Sequence, residues 1–204
     1  DETGDYSAGT FRMLIDRSDI GLGDLTAFTL VEQTTTVGGM VLNAGTFLLS
    51  EKDEDIQLFT PGTVGDVTSG SLTLVIDGSN IGIDERIIGL ELVEEDITIG
   101  GTNLTAGQLL VSLDADDNGV GGLNTKEEDV FILTVTSTGN NNTAATATML
   151  FDGSSAGYEN ELDAVTLWQN NDAAIIVSLH TDAATYLQNS TPVLIEQGTD
   201  VTVF

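Results

Sequence analysis

The sequence predicts an all-β protein built from three imperfect four-stranded repeats. Apolar residues recur with a period of two in segment 71–77 and form a β-branched run in segment 129–136. Glycine pairs and Asp-Gly steps separate such runs. The chain is also self-similar, because residues 37–50 align with 99–112 at an offset of 62, with seven of fourteen positions identical. Only segment 182–189 has a pattern compatible with a helical turn or two.

The strands follow one another in the same order in each repeat. An apolar strand ends in an Asp-Gly-Ser-like turn in each of three copies: 14–21, 75–82 and 150–157. A second strand follows each turn: 25–31, 87–93 and 162–168. The third strand ends in serine each time: Ser50, Ser112 and Ser178. A fourth strand follows an acidic cluster at 53–55 and at 127–129, whereas in the third copy segment 193–196 takes that place without such a cluster.

These periods divide the chain into three units. Unit 1–66 includes an N-terminal strand, unit 67–143 carries an acidic loop insertion, and unit 144–204 is the most divergent. Four-stranded units favour packed antiparallel sheets, either as a β-sandwich or as stacked sheets. Propeller-like blades are the alternative, although three blades fall below the roughly four to eight that close a ring.

The charge balance excludes several classes of partner. Five Lys and Arg against 33 Asp and Glu give a formal net charge of −28, which repels nucleic acid and anionic membrane surfaces. No apolar run reaches the ~18 residues of a membrane span. Cysteine is absent, and the sequence starts at Asp1 without an initiator Met. These features indicate a processed or trimmed protein from the exterior or surface of a microbial cell.

One acidic segment matches the start of a calcium-binding loop. Asp114, Asp116 and Asn118 alternate ahead of Gly119, in the D-x-[DN]-x-[DN]-G pattern that directs oxygen ligands at one ion. The twelfth position is Thr125 instead of a bidentate glutamate. Three carboxylates at the start of the next strand are the candidates to close the site: Glu127, Glu128 and Asp129. The open alternative to a Ca²⁺ site is a solvated acidic turn.

The aspartates of the Asp-Gly-Ser turns are expected to be turn residues. Asp16, Asp77 and Asp152 each end a strand, where an Asx turn needs a side-chain acceptor. The alternative is a repeated cation site that pairs these aspartates with the acidic clusters.

No motif for catalysis is present, so the chain is predicted not to be an enzyme. His180 is the only histidine, and the G-x-S-x-G, H-E-x-x-H, P-loop and dinucleotide patterns are absent. We expect His180 to be an ordinary surface or packed residue. Trp168 is expected to belong to the core.

The repeated phrase is similar to repeats of large secreted and surface-anchored bacterial proteins. Residues 150–154 read Leu-Phe-Asp-Gly-Ser, and residues 161–165 read Glu-Leu-Asp-Ala-Val, which resembles a pattern that recurs once per unit in those proteins. The first copy departs from it with Arg17 in place of glycine, and the second has Ile88-Gly89 in place of Asp-Ala. The resemblance implies an exported, non-catalytic β-repeat and supplies no ligand.

These features predict an extracellular structural protein that assembles with copies of itself into a filament, sheath or surface layer. Apolar strands at 11–15 and 201–204 motivate this prediction, because a free strand can add to a neighbour's sheet edge. Contacts that do not close produce an open fibre. Two alternatives remain open. One is a calcium-dependent adhesion or glycan-binding module of a larger surface protein, with cell-surface glycans as partners; the other is a glycosidase that uses two carboxylates.

Overall fold

The computed structural model describes residues 11–169, 173–179, 193–196 and 202–203, and from residue 168 onwards it describes the backbone alone. The predicted all-β class is confirmed, because the described residues form strands and only short 3-10 turns, at Arg17–Ile20, Gly78–Ile81 and Ser154–Ala156. His180, segment 182–189 and the side chain of Trp168 lie outside this description. Within it, no helix has the length and apolar character needed to cross a membrane.

Most strands belong to three antiparallel sheets of four strands, numbered here in chain order. The first sheet contains β1 (Ala27–Leu30), β4 (Phe47–Ser50), β5 (Ile56–Thr63) and β6 (Ser69–Ile76). The second sheet contains β7 (Ile87–Leu92), β10 (Leu109–Leu113), β13 (Val130–Ser137) and β14 (Ala144–Phe151). The third sheet contains β15 (Leu162–Gln169), β16 (Ala173–Leu179), β17 (Val193–Glu196) and β18 (Thr202–Val203). In each sheet the strands are hydrogen-bonded in chain order.

Three small hairpins interrupt this simple order. Their strands are β2 (Thr35–Val37) with β3 (Met40–Leu42), β8 (Ile97–Ile99) with β9 (Thr102–Leu104), and β11 (Asp117–Val120) with β12 (Leu123–Thr125). The tip of the first hairpin is a glycine pair, Gly38 and Gly39, with φ of 54° and 89°. Two consecutive residues with positive φ form the tight turn that matches strand twist, and glycine adopts it without strain. From the sequence, the glycine pairs are predicted only to separate strands.

The second sheet is the middle layer of a stack. One of its faces packs against the first sheet, in a core that includes Leu48, Leu90 and Leu92. The opposite face packs against the third sheet, in a separate core that includes Leu110 and Val165. Each fully buried aliphatic side chain contributes roughly 2 kcal/mol through apolar surface removed from water. A sheet covered on both faces needs apolar residues at successive positions, which explains the unbroken run in β13.

The strand pairing places the second and third Asp-Gly-Ser turns between two sheets. β6 pairs with β5, and β14 pairs with β13, so the strand that precedes each of these two turns is the last strand of a sheet. The predicted units instead begin with these strands. The unit boundaries 1–66, 67–143 and 144–204 stay a prediction, because strand pairing does not test how the sequence repeats. The sheets agree with the predicted sandwich-type packing.

Candidate functional site

The residues predicted to open a calcium loop are paired with basic side chains. Asp114 Oδ1 accepts a hydrogen bond from the backbone N–H of Arg86 at 3.0 Å, and its Oδ2 accepts one from Nε at 2.7 Å. Asp116 Oδ2 accepts a hydrogen bond from Lys126 Nζ at 2.6 Å, which lowers the pKa of Asp116. A cation at this position would therefore compete with an arginine and a lysine for the first two ligands.

The other predicted ligands are spread over the β11–β12 hairpin and the start of β13. Asn118 is exposed on β11, and the backbone N–H of Glu127 donates to Asp116 Oδ1 at 3.4 Å. Glu128 is buried, which raises its pKa. The hydroxyl of Thr125 is also buried and has no hydrogen-bond partner. In the described ranges, no group of three or more His, Cys, Asp or Glu side chains is arranged to hold a metal ion. Calcium binding here stays a prediction.

The Asp-Gly-Ser turns contain the predicted turn chemistry. In all three copies the aspartate Oδ1 accepts a hydrogen bond from a serine hydroxyl: Asp16 from Ser18 at 2.5 Å, Asp77 from Ser79 at 2.8 Å and Asp152 from Ser154 at 2.8 Å. Asp152 also accepts from the backbone N–H of Ser155 at 2.8 Å. These hydrogen bonds lower the pKa of Asp16 and Asp152. For Asp77, the hydrogen bond from the backbone N–H of Asn141 is the largest cause of a lowered pKa, and the hydrogen bond from Ser79 lowers the pKa further.

Each acidic cluster contacts the Asp-Gly-Ser turn that follows it. Asp55 Oδ1 accepts a hydrogen bond from the backbone N–H of Gly78, and Asp129 Oδ1 accepts one from Gly153, both at 3.0 Å. A Cβ atom on either glycine would lie 2.2 Å from a backbone carbonyl oxygen of the cluster. We call this arrangement the cluster–turn contact. It requires glycine at the turn because the cluster packs directly against that backbone.

The first copy departs from this arrangement in a consistent way. Arg17 takes the place of the glycine, and its guanidinium pairs with Asp24 at 2.7 Å. Among residues 11–169, no acidic cluster packs against the turn at Arg17 as the clusters pack against Gly78 and Gly153. A side chain therefore fits at this position of the first turn.

Glu91 lies where the first strands of the three sheets meet. Its Oε2 accepts hydrogen bonds from Thr29 Oγ1 of β1 and from Thr166 Oγ1 of β15, both at 3.4 Å. Burial raises the pKa of Glu91 to about 7, and the charges of Glu94 and Glu32 raise it too. No sequence motif predicts a role for this residue. The one signal in the sequence is that Glu91 is a single acidic residue inside the apolar strand β7.

Two exposed apolar side chains lie on β1 of the first sheet, on the face turned away from the second sheet. Phe28 is 59% exposed and Leu30 is 42% exposed. Their cross-strand partners, Leu49 and Phe47, are covered by residues 15–25 in a separate core. We call Phe28, Leu30 and these partners the first-sheet face. Its β1 edge is the part that remains uncovered.

A second exposed apolar group lies in the predicted N-terminal strand. Only Ile15 of segment 11–15 forms a β-bridge, with Gly65. Phe11, Met13 and Leu14 are 96%, 54% and 51% exposed. These side chains are therefore available for contact with another molecule. Their pairing with a neighbour's sheet stays a prediction.

Comparisons of this chain with known protein families, with characterised proteins and with solved structures find no match.

Proposed function

We propose that this chain is a non-catalytic structural subunit of an extracellular assembly and that its partners are further copies of itself. One observation carries the proposal: Phe28 and Leu30 are exposed, although their counterparts 62 residues later, Leu90 and Leu92, are only 2% and 1% exposed. The first sheet thus leaves open the β1 edge of a face that is covered in the repeat. Contiguous apolar surface of this kind is typical of protein interaction sites.

The net charge of −28 sets the condition under which such copies associate. Two strongly acidic chains repel each other, and this repulsion is screened over about 8 Å at an ionic strength near 0.15 M. Apolar contact between the copies is short-ranged and is not weakened by salt. Assembly should therefore be favoured by salt, which fits a protein that works outside the cell in a saline medium.

The first experiment is negative-stain microscopy together with light scattering on the purified chain. Samples at low and at high NaCl are compared, each with and without millimolar CaCl₂. We expect regular fibres or sheets that form as salt is raised, with a rising scattering mass. A monomer under all four conditions would overturn the proposal, and a screen for glycan binding would then test the adhesion alternative.

A further inference from the structure

We infer that residues 11–14 of one copy dock on the β1 edge of the first-sheet face of the next copy. Apolar side chains of the segment cover Phe28 and Leu30, and Arg12 pairs with glutamates beside the end of β1. This inference rests on the proposed function and names the occupant of the exposed surface: a segment of a second copy of this chain. The contact is made by side chains, so it differs from the strand addition predicted from the sequence.

The receiving surface is only one strand wide. Residues 15–25 already cover the part of the first-sheet face that lies beyond β1. Phe28 and Leu30 remain exposed, and on β1 their side chains alternate with buried ones. At about 3.3 Å per residue, these two side chains span about 7 Å along the strand. A surface of this size fits a short segment of chain and leaves no room for a second sheet.

The docking segment is an apolar projection that is held at one end. The backbone N–H of Gly65 donates to the carbonyl oxygen of Leu14 at 2.9 Å, which ties the segment to the loop between β5 and β6. That loop adds two exposed valines. Exposed apolar groups of this kind are typical of interaction sites. The N-terminal patch is defined here as Phe11, Met13, Leu14, Val64 and Val67.

Arg12 is a cation inside this patch that lacks a partner from its own chain. Each of the other four basic residues forms an ion pair with an aspartate, whereas Arg12 forms none within the residues that the structure describes. The side chain of Arg12 is exposed, and so is that of Asp66 in the neighbouring loop, yet the two are not paired. In a chain of net charge −28, an unpaired guanidinium is attracted to an acidic surface of a second copy.

The β1 edge lies beside an acidic surface of this kind. Glu94 accepts hydrogen bonds from the backbone N–H groups of Glu32 and Gln33, and Glu95 Oε1 accepts one from Gln33 Nε2 at 2.7 Å. Burial raises the pKa of Glu94, and the charges of Glu32 and Glu95 raise it further. In the described ranges no basic side chain pairs with these three glutamates. A cation from another copy would therefore neutralise charge that the chain itself leaves uncompensated.

The two surfaces lie on different parts of the first sheet. β1 is the strand at one end of the sheet order, and loop 64–68 joins β5 and β6 at the other end. Both surfaces are exposed, so a copy does not fill its own β1 edge. A contact between unlike surfaces is heterologous, and each added copy presents a new patch and a new β1 edge. Such a contact propagates as an open filament when its rotation does not close a ring.

The electrostatic test reverses the charge on each side of the contact. Arg12→Glu reverses the cation of the N-terminal patch. Glu32→Lys combined with Glu95→Lys reverses the acidic surface and leaves Glu94 unchanged. Matched controls make the same charge changes at exposed residues elsewhere: Lys52→Glu for the first variant, and Asp84→Lys combined with Glu159→Lys for the second. Unfolding temperatures confirm that each variant folds, and all samples are compared at one ionic strength.

We expect each reversal to raise the concentration needed for assembly by about tenfold or more, because like charges then face each other at the contact. The double lysine variant is the sharper of the two, since it lowers the net negative charge by four and so reduces general repulsion between copies. Its matched control should assemble at least as readily as the unmodified chain. An equimolar mixture of the two reversed variants should recover assembly, because opposite charges meet again when the two kinds of copy alternate.

Two outcomes of this experiment would overturn the docking inference and leave self-association intact. One is assembly of the double lysine variant at or below the unmodified concentration. The other is a mixture of the two reversed variants that does not recover assembly. A chain that never assembles would instead overturn the proposed function.

Thiol cross-linking tests the proximity of the two surfaces directly, because the chain contains no cysteine. Met13→Cys and Phe28→Cys are mixed under assembly conditions and oxidised with oxidised glutathione. We expect a disulfide-linked dimer of the two variants, since docking brings their Cα atoms within the roughly 7 Å that a disulfide spans. The control mixture replaces Phe28→Cys with Val41→Cys, at an apolar residue that is 55% exposed on β3. Equal yields from the two mixtures would overturn the docking inference.

Discussion

Glu94 Oε1 accepts a hydrogen bond from the backbone N–H of Glu32 at 2.6 Å, and the two glutamates occupy the same place in successive copies, 62 residues apart. The same oxygen accepts from the backbone N–H of Gln33 at 3.1 Å. A carboxylate from one copy thus satisfies the backbone where β1 of the previous copy ends. The repeat is therefore joined by polar side chains at its margins as well as by apolar packing between its sheets.

Replacing Glu94 with alanine should lower the free energy of unfolding by about 1 kcal/mol, because two backbone N–H groups lose a charged acceptor and are left to solvent. Urea denaturation measures this change. Glu32→Ala is the matched control, since it removes a glutamate at the equivalent position but keeps the backbone N–H that Glu94 binds. Equal destabilisation by both variants would contradict a specific role for the Glu94 carboxylate.

The cluster–turn contact predicts that Gly78 and Gly153 cannot be replaced. A Cβ atom 2.2 Å from a backbone carbonyl forces the cluster away from the turn, which should cost about 1–3 kcal/mol in Gly153→Ala. Arg17→Ala is the internal control at the same turn position and should change stability by less than about 1 kcal/mol, through loss of an exposed ion pair. Thermal unfolding of the two variants should separate them clearly; similar midpoints would show that the cluster does not press on the turn.

The raised pKa of Glu91 predicts that one contribution to the free energy of unfolding falls as pH rises. Its folded-state pKa of about 7 lies above the ordinary 4.5, so the folded chain binds more protons than the unfolded chain between these values. The contribution of Glu91 to the free energy of unfolding therefore decreases by up to about 3 kcal/mol in total as pH rises through this window. Above the window this contribution no longer changes with pH. Glu91→Gln removes the ionisable group but keeps an oxygen for Thr29 and Thr166.

The measurement is the difference in unfolding free energy between Glu91→Gln and the unmodified chain, from pH 4.5 to pH 8. Carboxylates that do not interact with Glu91 contribute equally in both chains and cancel. We expect the free energy of unfolding of Glu91→Gln, relative to that of the unmodified chain, to increase as pH rises. The same substitution at exposed Glu159 should leave the pH dependence unchanged. A constant difference across the range would show that Glu91 is ionised in the folded chain.

The sequence predicted the elements that depend on local pattern. The β-branched run before Thr136 became β13, and the alternating segment before Asp77 became β6. The cluster–turn contact could not be predicted in the same way, because it joins residues 24 apart, Asp129 and Gly153, which the pairing of β13 with β14 brings together. Glu91 was missed for the same reason. Its burial comes from strands β1 and β15, which are distant in sequence.

The hairpins and the calcium segment show two further limits of local pattern. Glycine pairs between short strands are a sufficient sequence signal for type I′ hairpins. The calcium motif reports the spacing of carboxylates and not their partners. Only five basic residues occur in the whole chain, and two of them, Arg86 and Lys126, pair with the predicted ligands.

Calcium binding at the β11–β12 hairpin predicts competition between the cation and Lys126. The Lys126–Asp116 pair is more than half exposed on both sides, so it is weak enough for a divalent ion to displace. Millimolar CaCl₂ should raise the unfolding temperature more than NaCl of equal ionic strength does. Lys126→Met should lower the CaCl₂ concentration required for this rise. Lys52→Met, which removes one of the two cations paired with Asp24, controls for net charge. Asp116→Asn should remove the calcium-specific rise; an undiminished rise in that variant would place the cation at another site.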